Sequence, residues 1–155
     1  MVNLDTLEKV EVFRNLDDRR LSALSECCTE MVVQRGEGLF KAGEEAGHLW
    51  AVVEGRIKLV AEPDSTLQEH GVSETQIFGW PSLLRSPIYR FSASCDARSA
   101  KLIRMDSRCL QALFEKDPEL GYNVMSGLLR VLGERFHELQ EEVVKRRGQD
   151  MMNQW

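Results

Sequence analysis

The stretch Gln76-Ile-Phe-Gly-Trp-Pro-Ser-Leu-Leu84, followed by Arg90-Phe-Ser-Ala-Ser94, is the most informative part of this chain for its fold. An apolar strand ends at Gly79, a short helical turn with paired leucines follows, and a strand of small residues begins after a loop. Such a turn places unsatisfied backbone N–H groups, small hydroxyls and a cation around one point. Because these groups suit a negative charge, the stretch predicts an anion pocket.

Short apolar runs separated by glycines predict β-strands in the middle of the chain. These runs recur at intervals of roughly 8–12 residues, which predicts a β-sandwich or a barrel. They cover residues 31–33, 38–40, 49–53, 56–60, 77–78, 92–97 and 101–105. Glu54 and Gly55 predict a two-residue hairpin turn. The polar residues 61–71 predict an exposed hairpin or loop.

Helix-start signals before the β region predict two short helices. Asp5 or Thr6 can cap the first helix, and residues 16–18 have the composition of a second helix start. We therefore expect a single domain of 155 residues, with N-terminal helices over residues 1–29 and a β-barrel over residues 30–105.

The C-terminal part of the chain carries the pattern of a long amphipathic helix. Asp106 can cap a short helix, and Asp117 followed by Pro118 marks the start of the long one. We expect C-terminal helices over residues 106–147 and a tail over residues 148–155. Apolar residues spaced alternately four and three apart form a coiled-coil stripe: Met125, Leu129, Leu132, Phe136, Leu139 and Val143. The alternative is a helix that only covers the domain's own core. Because the stripe continues past the point where the domain should be complete, it favours a homodimer.

Composition and charge argue against several classes of protein. With 43% hydrophobic residues, the chain can bury one sizeable core. Its 20 basic and 25 acidic residues give a net charge of −5, which argues against nucleic acid as the main partner. The N-terminus lacks a signal-peptide pattern, and no apolar run reaches membrane-spanning length. We therefore expect a cytoplasmic protein with no membrane association.

The four cysteines are Cys27, Cys28, Cys95 and Cys109, and they show no C-x-x-C spacing. Neighbouring Cys27 and Cys28 cannot readily pair with each other, and a cytoplasmic location would keep thiols reduced. We therefore expect all four to be thiols that pack as small hydrophobic side chains.

Catalytic and metal-binding patterns are weak. His48, His70 and His137 lie far apart, whereas a cupin-like metal site needs ligands that converge. No Ser-His-Asp or Cys-His arrangement is suggested. We therefore expect no enzyme activity, no catalytic residues, no metal and no resident cofactor. A haem sensor is a further alternative, with His48, His70 or a cysteine as axial ligand, but nothing selects one of them.

The order of these segments resembles cyclic-nucleotide-binding domains of the catabolite activator type. The resemblance covers about residues 8 to 145 and is carried by six groups of residues: Gly36-x-Gly-x-Phe40-x-x-Gly43, Leu49-Trp-Ala-Val-Val-Glu-Gly-Arg-Ile-Lys58, Phe78-Gly79 with Leu83-Leu84, Ser92-Ala-Ser94, Asp106 through Leu113, and Asp117-Pro-Glu119. It implies a mainly β fold with flanking helices. The barrel would be a jelly roll, or double-stranded β-helix, with N-terminal helices and a long C-terminal helix.

The resemblance also implies a ligand site. In this family a phosphate cassette grips the cyclic phosphate with an arginine, backbone amides and a hydroxyl. The residues at the matching positions are Gly79, Trp80, Ser82, Leu83, Arg90, Ser92, Ala93 and Ser94. A stand-alone regulatory sensor for a small anionic ligand follows, with cAMP or cGMP as the leading candidate and signalling through the long helix.

Three residues depart from the family pattern. Trp80 stands where a glutamate accepts the ribose 2′-hydroxyl, and losing such an acceptor costs about 1.5–3 kcal/mol, or roughly ten- to a hundredfold in affinity. Counted forward from the helical turn, Arg90 takes the place of the family's arginine. Counted back from the next strand, Phe91 takes that place, and one residue of offset on a strand turns a side chain to the other face. Pro81 also removes one N–H from the turn.

Two further expectations follow. Only residues 148–155 come after the long helix, too few for a helix-turn-helix, so we expect no direct DNA binding. The alternative to a ligand sensor is a degenerate module that binds no nucleotide and acts through dimerisation or protein contacts. In that case Trp80 would fill the pocket.

Overall fold

The computed structural model describes residues 2–61 and 69–153. The helices of this part are α1 (Leu4–Glu8), α2 (Asp18–Ser25), α3 (Ser107–Lys116) and α4 (Pro118–Asn153). Its strands are β1 (Cys28–Gln34), β2 (Gly38–Phe40), β3 (His48–Glu54), β4 (Ile57–Ala61), β5 (Glu69–Val72), β6 (Ile77–Phe78), β7 (Phe91–Cys95) and β8 (Ser99–Asp106). A one-turn 3-10 helix, Trp80–Leu83, lies between β6 and β7.

The strands form two antiparallel sheets of four strands each. The first sheet has the order β1-β8-β3-β6 and the second has the order β2-β7-β4-β5. The chain crosses between the sheets several times, as it does in a jelly roll. The predicted double-stranded β-helix barrel with flanking helices is therefore confirmed.

Strand β3 separates two hydrophobic cores because both of its faces are buried. Leu49 and Ala51 pack against the helices, in a cluster with residues of α1 to α4. Trp50 and Val52 point the other way and pack inside the barrel. Side chains alternate across a strand, so a run of apolar residues without polar interruption serves both cores.

Short polar side chains begin three of the helices as the sequence predicts. Asp17 accepts a hydrogen bond from Arg20 N at 2.9 Å, and Asp106 accepts one from Cys109 N at 2.8 Å. Asp117 accepts from Leu120 N at 3.2 Å. Helix α1 differs, because its cap is Asn3 rather than Asp5 or Thr6. Each cap satisfies an N–H group that the first helical turn leaves open.

Two local expectations need correction, and a third agrees with the structure. Residues 54 and 55 do not form a hairpin, because β3 and β4 belong to different sheets. Strands β4 and β5 pair antiparallel, in agreement with the hairpin predicted for the polar segment 61–71, of which residues 62–68 lie outside the described residues. Helix α4 continues to Asn153 rather than ending near Arg147.

The expectation of four reduced cysteines is wrong for one pair. Cys27 and Cys109 form a disulfide, although 82 positions separate them in the sequence. Cys28 and Cys95 are thiols, and Cys95 is buried. Sequence spacing could not reveal the pair, because the β1–β8 pairing and the start of α3 bring the two sulfurs together.

Helix α4 has one buried face and a long exposed part. Its buried residues pack on the helical core: Leu120, Val124, Leu128 and Val131. Every residue from Phe136 to Gly148 is exposed. Among the described residues, no helix has the length and apolar character needed to cross a membrane.

Candidate ligand site in the barrel

We call residues 79–94 the cassette. It begins where β6 ends, and Gly79 there adopts a left-handed conformation with φ of 74°. A Cβ atom at this position would lie 2.8 Å from Trp50 Cδ1 and 3.1 Å from His48 O. Glycine is therefore required by both backbone conformation and space, and the cassette starts in close contact with the barrel lining.

Trp80 is half-buried and lies against the helices. Together with Leu83 it packs on the helical core, which is on the other side of the first sheet from the barrel interior. Trp80 therefore contributes to helix packing in this structure instead of filling the barrel.

Ser82 is the polar residue of the cassette that the fold buries most completely. It is 2% exposed, and its Oγ has no hydrogen-bond partner among the residues that the structure describes. Its backbone N–H donates to Gly79 O at 3.2 Å within the turn. A buried hydroxyl without a partner costs free energy of about 1–3 kcal/mol. A bound polar group that satisfied Ser82 Oγ would recover that cost.

The alternation of side chains along β7 shows which of its residues face the barrel interior. Ala93 is 1% exposed and belongs to the barrel core, and Phe91 has the same strand parity. Phe91 contacts the ring of His70 edge-on, at 5.8 Å between centroids. Ser92 and Ser94 have the opposite parity, and Ser92 Oγ accepts a hydrogen bond from Ala42 N at 3.0 Å.

Arg90 precedes β7 by one residue and is exposed. The inward position at the start of the strand therefore holds the ring of Phe91. Of the eight predicted ligand residues, the fold buries Gly79, Ser82 and Ala93; half-buries Trp80, Leu83, Ser92 and Ser94; and exposes Arg90. Their contacts with a ligand remain predictions.

Four aromatic side chains fill the barrel next to Gly79. Phe40 and Tyr89 stack at 3.6 Å between ring centroids, and Phe40 lies 6.1 Å from Phe78. Trp50 and Phe78 stack at 5.9 Å. The sequence patterns did not identify this group. Its members lie in or beside separate strands, and only the tertiary structure brings them together.

The hydroxyl of Tyr89 ties the cassette to β3. It accepts hydrogen bonds from His48 N and Trp50 Nε1, both at 3.3 Å, and donates to His48 O at 3.0 Å. Burial raises the pKa of Tyr89 above its usual value. The phenol is therefore neutral at pH 7 and fixes the orientation of the Trp50 ring beside Gly79.

A cavity of about 290 Å³ opens on the barrel beside β1, β2 and the first residues of β3. The aromatic rings of Phe40, Trp50 and Tyr89 form part of its wall. Besides Tyr89, its charged or titratable lining consists of Glu37, Glu44, Glu45, His48 and Arg104. The pKa of His48 is lowered, first by burial and then by the charge of Arg104. None of the predicted ligand residues lines this cavity, although Tyr89 of the cassette does.

The long helix carries the predicted dimer stripe on an exposed face. Leu129 is 74% exposed and Phe136 is 62% exposed, and Met125, Leu139 and Val143 are also exposed. Leu132 is partly buried and packs against the helical core. The stripe is thus available to a partner chain except at Leu132, which borders the domain.

Among the described residues, no group of three or more His, Cys, Asp or Glu side chains could hold a metal ion.

A direct contact links α4 to the strand that leads into the cassette. Arg135 Nη1 donates to Ile77 O at 3.2 Å, and Arg135 Nη2 pairs with Glu11 Oε1 at 2.8 Å. The same Glu11 oxygen accepts from Ile77 N at 3.0 Å. A movement of β6 would therefore change the hydrogen bonds of Arg135, which lies directly before the exposed part of α4.

Comparisons with solved structures agree with this fold. A cyclic nucleotide-binding protein from Geobacter metallireducens GS-15 shares 22% identity, covering 88% of this chain and 100% of that chain, with a TM-score of 0.77. A cyclic nucleotide-binding domain from Methylobacillus flagellatus KT shares 18% identity over 92% of this chain and 81% of that one, also at 0.77. The catabolite activator protein of Thermus thermophilus shares 20% identity over 86% of this chain and 63% of that one, at 0.68. At these identities the likeness establishes the fold alone.

Sequence comparison identifies the family. No curated protein sequence matches the chain. The family model for the cyclic nucleotide-binding domain matches residues 30–117, which is more than half of the chain and covers all of the barrel except the first two residues of β1, together with α3. The chain therefore belongs to the cyclic nucleotide-binding domain family.

Proposed function

We propose that this chain is a regulatory domain that binds a small anionic ligand at the cassette and transmits binding through α4. The observation that carries the proposal is Ser82, whose buried hydroxyl lacks a partner among the described residues. A cyclic nucleotide is the leading candidate because of the family, and its phosphate oxygens would accept a hydrogen bond from the Ser82 hydroxyl. The proposed role is binding rather than catalysis, and we expect it in the cytoplasm.

Transmission through α4 is supported by the contacts of Arg135. This side chain joins α4 to Ile77, two residues before Gly79. A ligand that drew the cassette inward would move β6 and change these hydrogen bonds. The ligand would then shift the position of the exposed stripe relative to the barrel, as in hinge-type switches.

The packing beside Gly79 favours a second candidate function. Trp50 crowds Gly79, and Phe91 rather than Arg90 has the inward strand parity. The barrel is then a scaffold, and the activity lies in dimerisation or protein contacts of the exposed α4 stripe. The two candidates differ in whether the cassette binds a nucleotide at all.

Calorimetric titration of ligand-free protein with cAMP, and in parallel with cGMP, separates them. The proposal expects a dissociation constant in the micromolar range or tighter. Ser82→Ala should weaken binding by about tenfold or more, because it removes a hydrogen bond to a charged group. Ser86→Ala, at an exposed position of the same segment, is the matched control and should bind like the parent.

Arg90→Ala tests whether the exposed arginine closes over the ligand. Loss of binding in this variant, with unchanged circular dichroism, would show that the loop before β7 moves inward.

If the unaltered protein releases or absorbs no heat with millimolar cAMP or cGMP, the ligand-binding proposal is contradicted and the scaffold function remains.

A further inference from the structure

The disulfide lies where the N-terminal helices meet the C-terminal helices. Cys27 follows α2 and immediately precedes β1, and Cys109 lies in the first turn of α3. The bond thus joins two segments that are 82 positions apart in the chain. Neither the family assignment nor the cassette accounts for it.

Hydrogen bonds to Asp106 hold both cysteines in place independently of the sulfur–sulfur bond. Asp106 N donates to Cys27 O at 3.0 Å, and the carboxylate of Asp106 caps Cys109 N at 2.8 Å. Cys28 pairs with Met105 in the β1–β8 ladder. Because Asp106 contacts both cysteines, their sulfurs stay adjacent when the bond is open. A pair held in this way has a high effective concentration and closes readily.

The two sulfurs differ in access, and a third is close by. Cys27 is 7% exposed, while Cys109 is only partly buried. Cys28 is adjacent to Cys27, but its Sγ donates to Leu24 O at 3.1 Å and burial raises its pKa to about 12. Cys28 is therefore almost entirely a thiol at neutral pH and a poor competitor in exchange, because the thiolate is the attacking species.

We propose that Cys27 and Cys109 form a reversible redox-modification site that small disulfides oxidise and dithiols reduce while the domain stays folded. In oxidation by glutathione disulfide, the Cys109 thiolate attacks one glutathione sulfur and releases the other glutathione as a thiolate. The Cys27 thiolate then attacks Cys109 Sγ and releases the second glutathione. Two protons and two electrons leave the pair, and one disulfide is consumed. Reduction by a dithiol runs in reverse, beginning with attack at the more exposed Cys109.

The oxidation state changes how firmly α3 is held. Helix α3 packs against α2, α4 and the 3-10 helix of the cassette. With the bond closed, α3 is tied covalently to the segment before β1. With the bond open, α3 is held by its packing, by the Asp106 cap and by the hydrogen bond from Ser107 N to Gly47 O. The oxidation state of the cysteine pair therefore determines how tightly α3 is fixed, and α3 contacts both the cassette and α4.

Counting thiols in the folded protein tests the proposal. The chain is equilibrated without denaturant in excess glutathione disulfide or in excess dithiothreitol, quenched with acid, unfolded, and alkylated with a maleimide for intact mass spectrometry. Two maleimides are expected after oxidation, on Cys28 and Cys95, and four after reduction. The circular dichroism spectrum should be unchanged, and the melting temperature of the reduced form should be lower by roughly 10 °C.

Hydrogen exchange and two variants complete the test. On reduction, amides of α3 should exchange about tenfold faster than before, with amides of β4 unchanged. Cys28→Ser should keep the same two-thiol transition, while the double variant Cys27→Ala with Cys109→Ala should show two maleimides in every buffer. Four maleimides after excess glutathione disulfide would overturn the proposal. So would a bond that opens only in denaturant, or one that forms with Cys28.

Discussion

Gly79 shows how one position can be constrained from two sides. Its φ of 74° is unfavourable for a residue with a side chain, and Trp50 leaves no room for one. The sequence predicts a turn at this glycine. The structure adds a close contact, because the ring of Trp50 and the carbonyl of His48 lie directly against it.

Gly79→Ala should therefore lower the free energy of unfolding by about 1–3 kcal/mol, through strain in the backbone and crowding of Trp50. Gly133→Ala is the matched control, because a Cβ there meets nothing within 4 Å on an exposed part of α4. That substitution should be neutral or stabilising by up to about 1 kcal/mol. Urea denaturation of the three proteins measures both effects, and equal stabilities would contradict the close approach.

Helix α4 is a single element with two different environments. Its first half is part of the helical core, and its second half is exposed along every residue from Phe136 to Gly148. An apolar stripe on an exposed helix is expected to pair with another chain. Leu132 belongs to the stripe in the sequence but packs on the core, so a charge at Leu132 would damage the fold as well as an interface.

Leu129→Asp is the cleaner test of a homodimer, because Leu129 is 74% exposed. The variant should be monomeric by light scattering at concentrations where the parent is dimeric, since an interfacial carboxylate would be buried without a partner. Asn123→Asp adds the same charge at an exposed position away from the stripe and should leave the dimer intact. A dimer that persists in Leu129→Asp would exclude this face as the interface.

Ion pairs and a disulfide join the N-terminal and C-terminal parts of the molecule. Arg20 on α2 binds Asp117 at 3.2 Å and Glu119 at 2.8 Å, at the junction of α3 and α4. Together with the disulfide and with the Arg135–Glu11 pair, these contacts hold α2, α3 and α4 around one core. Each joins segments remote in sequence, so each contributes to the stability of the domain as a unit.

The pH dependence of unfolding should report the Asp117 contact. The hydrogen bond from Leu120 N, followed by that from Arg20, lowers the pKa of Asp117 below 3.8. A carboxyl group whose pKa is lowered in the folded state stabilises the fold at pH values above its unfolded-state pKa. This contribution is lost as the pH falls through the lowered, folded-state pKa. In urea denaturation, the stability gap between the parent and Asp117→Asn should therefore shrink below about pH 4. A gap that stays constant from pH 3 to pH 7 would contradict this assignment.

Several features of this protein followed from local sequence. The helix caps at Asp17, Asp106 and Asp117 were predictable because a cap satisfies N–H groups only two or three residues away. The strands of the barrel were predictable because apolar runs and glycine turns are likewise local signals. The jelly-roll fold followed from the order of these elements and their resemblance to a family.

Other features depended on the tertiary structure because they join distant residues. The Cys27–Cys109 bond, the aromatic group around Trp50 and the separation of β3 and β4 into two sheets all require the folded chain. The orientation of the cassette also had to come from the fold. Counting along the sequence left Arg90 and Phe91 as alternatives for one position, and the pairing of β7 with β4 gave the inward position to Phe91. Strand parity depends on pairing with a neighbour, so the sequence alone could not decide it.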